Sequence, residues 1–183
     1  IVRGIARERG LRFRLAMIPA DVEGGYLVEK LRAGAVSDAA GDPPLSEGMV
    51  EASACLVARM GVDPIALALE AGAEVVLAGR CGEGVVAACL PLRAGFAPEL
   101  AVHLGLVLRA GGALADPRDD AGGLVGTIEP DHFRVTPADP DRRCQAGRVA
   151  AQSLAAGADP RAVCVSGGTL DLSDARFEQA DPR

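Results

Sequence analysis

An α/β fold, with helices layered on a largely parallel sheet and a more irregular C-terminal part, is the class this sequence predicts. Three observations carry it. The run Ala73-Glu74-Val75-Val76-Leu77-Ala78 is short, apolar and β-prone, and it passes through Gly79-Arg80-Cys81-Gly82-Glu83-Gly84 straight into a helical pattern. Helical and strand patterns alternate along the chain before Asp116, as in sheets covered by helices. Finally, 49% of the residues are hydrophobic but only 3% are aromatic, with no Trp, so the core must be Ala, Val and Leu packed tightly between helices and sheet.

Residues 1–9 read as the tail of a helix closed by Gly10, a residue favoured just past helix ends. Phe13, Leu15 and Met17 alternate with Arg12, Arg14 and Ala16, which predicts a strand over 11–18 stopped by Pro19. Asp21 is placed to cap a helix reaching about Arg32. Residues 33–46 form a loop whose turn signal is Gly41-Asp42-Pro43-Pro44. The stretch 47–60 is ambiguous between helix and buried strand. Asp63-Pro64 opens a short helix, with Asp as cap and Pro in the first turn, and Gly72 ends it.

Residues 74–78 are the strongest strand, and helices follow over about 84–92 and 98–110, the second closed by Gly111-Gly112. Beyond Asp116 the texture changes. Asp116-Pro117-Arg118-Asp119-Asp120 is a polar loop, and a subdivision of the chain near 116–123 is the one place where the single domain 1–183, or part of one, would divide. Residues 124–128 and 132–135 suggest a short hairpin, 141–156 a helix, and 162–165 a strand before Gly167-Gly168. The chain starts with Ile1 inside a helical pattern and stops at Asp181-Pro182-Arg183 without a closing element, which reads as a piece of a longer protein.

The totals remove several classes of function. A net charge of -6 argues against a broad nucleic-acid-binding surface. No apolar run reaches the length of a membrane span and no signal-peptide pattern is present, so a cytoplasmic protein is expected. Cys55, Cys81, Cys89, Cys144 and Cys164 are odd in number and form no CxxC pair, which disfavours zinc and a disulfide framework. Lys30 is the only lysine and sits in a polar, helix-like context, so Schiff-base chemistry lacks a suitable residue.

The carboxyl end of a strand in an open α/β sheet is where ligands usually bind, which directs attention to residues 79–84. Arg80 can grip a carboxylate or phosphate, and Glu83, three residues on, can act as acid or base. A salt bridge between the two is the structural alternative. Gly79, Gly82 and Gly84 could expose backbone N–H groups to a phosphate, although their order is GxxGxG and not the dinucleotide pattern. His103 lies among apolar neighbours and reads first as a core histidine. His132, in the polar Asp131-His132-Phe133 turn, is a second candidate for proton transfer. Arg143, beside Arg142, is a candidate anion contact, and Cys81 is the thiol nearest the favoured strand end. A metal site would need carboxylates such as Asp171 and Asp174, which equally read as a strand end and a cap, so no metal is assigned. No cofactor is assigned either.

Several segments together resemble the AtuA-like family of acyclic terpene utilisation proteins. They are Met60-Gly61-Val62-Asp63-Pro64-Ile65, Ala71-Gly72-Ala73-Glu74-Val75-Val76-Leu77-Ala78-Gly79-Arg80, Leu90-Pro91-Leu92-Arg93-Ala94-Gly95-Phe96 and Leu100-Ala101-Val102-His103-Leu104-Gly105. Asp131-His132-Phe133, Asp141-Arg142-Arg143-Cys144 and the stretch from Leu170 to Gln179 complete the set, so the resemblance runs over about 61–183. It implies a role in breaking down branched acyclic terpenoids through acyl-CoA intermediates, or in related specialised metabolism, with a small anionic or acyl-CoA-type substrate. Separately, an Ala-rich chain with few aromatics could pack against itself, so a homo-oligomer is an option. Where many relatives carry an aspartate, this chain has Glu83; where they carry a Lys and later a Glu-Cys-Gly, it has Leu106 and Arg109-Ala110-Gly111. The resemblance therefore leaves two expectations: an enzyme of unassigned reaction, or a non-catalytic binding or assembly subunit. A nucleotide-binding enzyme is the weaker third.

Overall fold

The computed structural model describes residues 1–37, 44–118, 121–155 and 159–180. The turn expected at Gly41-Asp42-Pro43 lies outside them, as do Asp119 and Asp120 of the polar loop. Helix α1 (Val2–Glu8) ends where Gly10 takes a φ of 65°. The Leu11 N–H then reaches Ala6 O at 2.8 Å and the Gly10 N–H reaches Arg7 O at 3.2 Å, the paired bonds of a Schellman cap. Strand β1 (Leu15–Ile18) follows, shorter than the sequence pattern suggests.

Helix α2 (Gly24–Arg32) begins three residues after Asp21, which instead bridges to Val57 and caps nothing. The ambiguous stretch resolves into helix α3 (Glu47–Glu51), capped by Ser46 Oγ accepting from the Met49 N–H at 3.3 Å, and an extended run up to Met60. Helix α4 (Asp63–Glu70) has Asp63 as its first helical residue, with Val62 and not Asp63 in the cap position. Strand β2 (Val75–Ala78) then pairs with β1 in parallel, Leu15 opposite Val75 and Ile18 opposite Ala78.

The remaining strands correct the expectation of a largely parallel sheet with layered helices. The β1–β2 pair is the one parallel pair among the described strands; β3 (Ala115–Asp116) with β6 (Arg143–Cys144), β4 (Leu124–Ile128) with β5 (Phe133–Pro137), and β7 (Ala162–Val165) with β8 (Gly168–Asp171) are each antiparallel and two-stranded. Loop length is the physical reason. Parallel neighbours need a long crossover, which only α2 to α4 supply, whereas a short turn joins β4 to β5 and β7 to β8 and can close only antiparallel pairs. Gly167, at a φ of 97°, makes the second of those turns.

Helix α6 (Pro98–Leu108) organises the second half. It is apolar nearly all round, as a helix buried on every side must be, with His103 through Val107 consecutively buried. Helix α5 (Val85–Arg93) lies along it, and Gly84 and Gly105 let the two backbones touch: a Cβ on Gly84 would stand 2.7 Å from the Leu106 nitrogen. The β4–β5 hairpin covers another side, where a Cβ on Gly126 would meet Leu104 Cδ1 at 2.7 Å. Helix α7 (Ala146–Leu154) and the β7–β8 hairpin complete the surround, the latter through a cluster of Leu106, Val163, Leu170 and Leu172. The helix expected over 98–110 stops at Leu108 and passes into a 3-10 turn at Gly111–Leu114.

A second cluster sits under the parallel pair. Ile65, Val85 and Cys89 form its centre, with Ile18, Val76 and Ala78 packed against them from the sheet. Successive strand residues face opposite ways, so Met17 and Leu77 project from the other face, 63% and 46% exposed. Among the described residues no helix is long and apolar enough to cross a membrane.

Candidate functional site

The carboxyl ends of β1 and β2 are joined by the extended residues 56–60. The Val22 N–H donates to Leu56 O at 3.0 Å, Ala58 N–H to Ala20 O at 2.8 Å, Met60 N–H to Arg80 O at 3.0 Å and Gly82 N–H to Met60 O at 2.9 Å. This third segment locks the two strand ends together where the sequence places the site.

Each glycine of the 79–84 loop has a packing reason. A Cβ on Gly79 would lie 2.6 Å from Ala20 Cβ and 2.7 Å from its backbone nitrogen. On Gly82 it would lie 3.1 Å from Val85 Cγ2 and 3.2 Å from Ser166 Cβ. Gly84 takes a φ of 72° at the start of α5. The Gly79 N–H donates to Ile18 O at 2.8 Å and the Gly82 N–H to Met60 O, so at these two positions the donors a phosphate cradle would use are spent inside the fold.

The side chains divide differently from the sequence pattern. The loop between Arg80 and Glu83 is not helical, and Glu83 pairs with Arg109 at 3.3 Å, both about half exposed. The Arg80–Glu83 salt bridge weighed as the structural alternative does not form, and exposed Arg80 has no hydrogen-bond or ion-pair partner for its guanidinium among the described residues. Cys81 points the other way, partly buried in the cluster under the sheet with its Sγ 3.5 Å from Gly79 O. Its alternation with Arg80 turns that guanidinium outward.

Sequence reasoning missed Arg59. Met60 and Cys81 form a parallel bridge, so Arg59 and Arg80, one residue earlier on each segment, are lateral neighbours whose backbones lie roughly 5 Å apart across the two segments. Arg59 is also exposed and without a partner among the described residues. Like charges side by side repel, so the arrangement favours an anion between them. No local signal could have shown this, because it depends on residues 56–60 lying beside residues 80–82. Ser166 was likewise not connected to this loop. It lies against both Gly82 and Gly61, where a Cβ on Gly61 would meet Ser166 Oγ at 2.8 Å.

A cavity of about 520 Å³ opens beyond the carboxyl end of β1, between α2, α3 and the segment leading to Leu56. Asp21, Glu51 and Ser53 supply its polar side chains, and Val22, Val28 and Val50 apolar ones. The sequence had assigned none of these to a site.

The other candidates stand elsewhere. His132 is exposed at the β4–β5 turn, its Nδ1 2.8 Å from Asp131 Oδ1 and its Nε2 3.8 Å from Glu129 Oε1. The Asp131 hydrogen bond, with added attraction from Glu129, raises its pKa. Arg143 on β6 lies 3.8 Å from Asp116 Oδ2, in a cluster where Arg148 approaches Asp116 Oδ1 at 3.4 Å and Gln145 Nε2 donates to Oδ2 at 2.6 Å. Neither residue is bonded or ion-paired to the 79–84 loop. His103 is a satisfied core histidine, 2.9 Å from Ser153 Oγ and edge-on to Phe133 and Phe177, and burial lowers its pKa. Among the described residues no group of three or more His, Cys, Asp or Glu is placed to hold a metal ion.

The family model for the acyclic terpene utilisation family protein AtuA matches residues 1–92. No curated protein and no solved structure matches the chain. The matched stretch contains β1, β2, the joining segment 56–60 and the whole 79–84 loop, and it shares residues 61–92 with the resemblance read from the sequence.

Proposed function

The chain belongs to the acyclic terpene utilisation family AtuA, and from that membership we propose that it acts on a small anionic intermediate of acyclic terpenoid breakdown, a terpenoid carboxylate or its acyl-CoA ester. One observation carries the reading: Arg59 and Arg80 stand side by side, exposed and unpaired among the described residues, where the ends of β1 and β2 are locked together. Two guanidinia in that arrangement suit bidentate capture of a carboxylate or phosphate. The cavity beyond the end of β1, with its valine lining, is the space proposed for the apolar body of such a ligand.

Glu83 is the group proposed to move a proton, with His132 as the second candidate and Arg143 as a further anion contact. In this reading the protein works in the cytoplasm. A second reading, a binding or assembly subunit without chemistry, is favoured by the Glu83–Arg109 ion pair. Both partners are positions where this chain departs from the pattern it resembles, so the two departures neutralise each other.

Titration of an acyclic terpenoid carboxylate and its CoA ester against the wild type, Arg59→Ala and Arg80→Ala tests the site. Each variant should bind at least tenfold more weakly, about 1.4 kcal/mol or more, with its thermal midpoint nearly unchanged. A large loss of stability with binding retained would mean that the arginines serve the fold. Consumption of either ligand that survives Glu83→Gln would remove Glu83 from the chemistry. Binding without consumption by the wild type would favour the subunit.

A further inference from the structure

A second anion site, separate from the strand-end loop, lies at the beginning of the chain. The geometry points to a groove of about 350 Å³ between α1 and the segment that turns back beneath it, built to take an organic phosphate with an apolar body. Arg3 and Arg7 are four residues apart on α1 and so share a face. The Schellman cap at Gly10 reverses the chain and brings Arg12 to the same groove, while Ala6, Phe13 and Leu15 supply apolar lining. The position of Arg12 is thus fixed by backbone hydrogen bonds and not by a flexible tail.

The charges are unbalanced in a way the rest of the neighbourhood is not. Arg14, two residues beyond Arg12, is matched by Glu74 at 3.8 Å. Arg3, Arg7 and Arg12 have no ion-pair or hydrogen-bond partner for their side chains among the described residues, although acids outnumber bases in the chain. Glu8, the acid on α1, is adjacent to Arg7 in sequence and so does not face it across the helix. Three arginines lining one groove complement a phosphate dianion better than a single carboxylate charge. The apolar lining, with Phe13 within it, sets this groove apart from a merely basic surface and asks for an aromatic or aliphatic substituent on the phosphate.

The test uses the 183-residue chain and four probes: phenyl phosphate, inorganic phosphate, benzoate and phenol, titrated calorimetrically at fixed ionic strength. Phenyl phosphate should bind roughly tenfold more tightly than inorganic phosphate or benzoate, and phenol not measurably. Arg3→Gln and Arg12→Gln should each weaken phenyl phosphate at least tenfold, whereas Arg9→Gln, at the C-cap of α1 and outside the groove, should leave it within twofold. Arg12 lies outside α1, so its variant reports on the groove even where a change in the helix loosens it. Equal weakening by Arg9→Gln would reduce the effect to diffuse charge, and equal binding of benzoate would overturn the phosphate assignment. Absence of phenyl phosphate binding at millimolar concentration would overturn the site. Because Arg59 and Arg80 stay intact in all these variants, failure here leaves the strand-end proposal standing, and failure there leaves this one.

Discussion

Gly79 and Gly4 are the same residue type under opposite constraints. A Cβ at Gly79 would press into Ala20, so Gly79→Ala should destabilise by roughly 1–3 kcal/mol through overpacking. A Cβ at Gly4, inside α1, meets nothing within 4 Å, so Gly4→Ala should stabilise by about 0.5–1 kcal/mol through helix propensity. Urea denaturation of the two variants checks both signs. The two histidines also oppose each other. Burial lowers the pKa of His103, so its folded form favours the neutral ring; that contribution is full above the unfolded value of about 6.5 and is lost as pH falls below it. His132, raised by Asp131, contributes below about 6.5 and loses its effect as pH rises through its folded value. Thermal midpoints measured from pH 7.5 to 5.5 should therefore fall more steeply in His132→Gln than in wild type, and less steeply in His103→Asn. That His103 belongs to the core was legible from its apolar neighbours; that Arg59 belongs beside Arg80 was not, because the contact spans twenty-one residues of chain.

At the scale of elements, local signals located most helices and strands and erred where a tertiary contact competed. Gly10, Gly72 and Gly84 each take a positive φ at a helix boundary the sequence had marked. Asp21 looked like a helix cap, but its backbone is drawn into a bridge with Val57, and α2 starts later. The α5–α6 pair has the tightest approach, where a Cβ on Gly105 would run into the carbonyl oxygen of Gly84. Gly105→Ala should consequently cost more than Gly79→Ala, because backbone obstructs both positions but the approach at Gly105, inside a helix buried on every side, is the closer. Equal losses in parallel urea titrations would refute that ranking. Leu170→Ala removes buried volume from the cluster that seats β7–β8 on α6, and should cost about 2–5 kcal/mol.

Across the whole molecule, the five cysteines report on packing. Cys55 and Cys164 are exposed, Cys81 and Cys144 half-buried, and Cys89 buried, and burial pushes the thiols of Cys89 and Cys144 up. A thiol reagent at pH 8 should label Cys55 and Cys164 first and reach Cys89 only at the rate of unfolding. Early labelling of Cys89 would show that the cluster under β1 and β2 opens on its own. By itself the sequence determined what depends on near neighbours: the helix ends at glycines, the apolar character that buries α6, and a family resemblance carried by ordered motifs. Only the tertiary structure decided which strands pair, that three of the four described pairs run antiparallel, and which arginines are left without a partner. Helix signals act within about four residues, whereas strand pairing and ion pairing join residues far apart in the chain and depend on how its loops close.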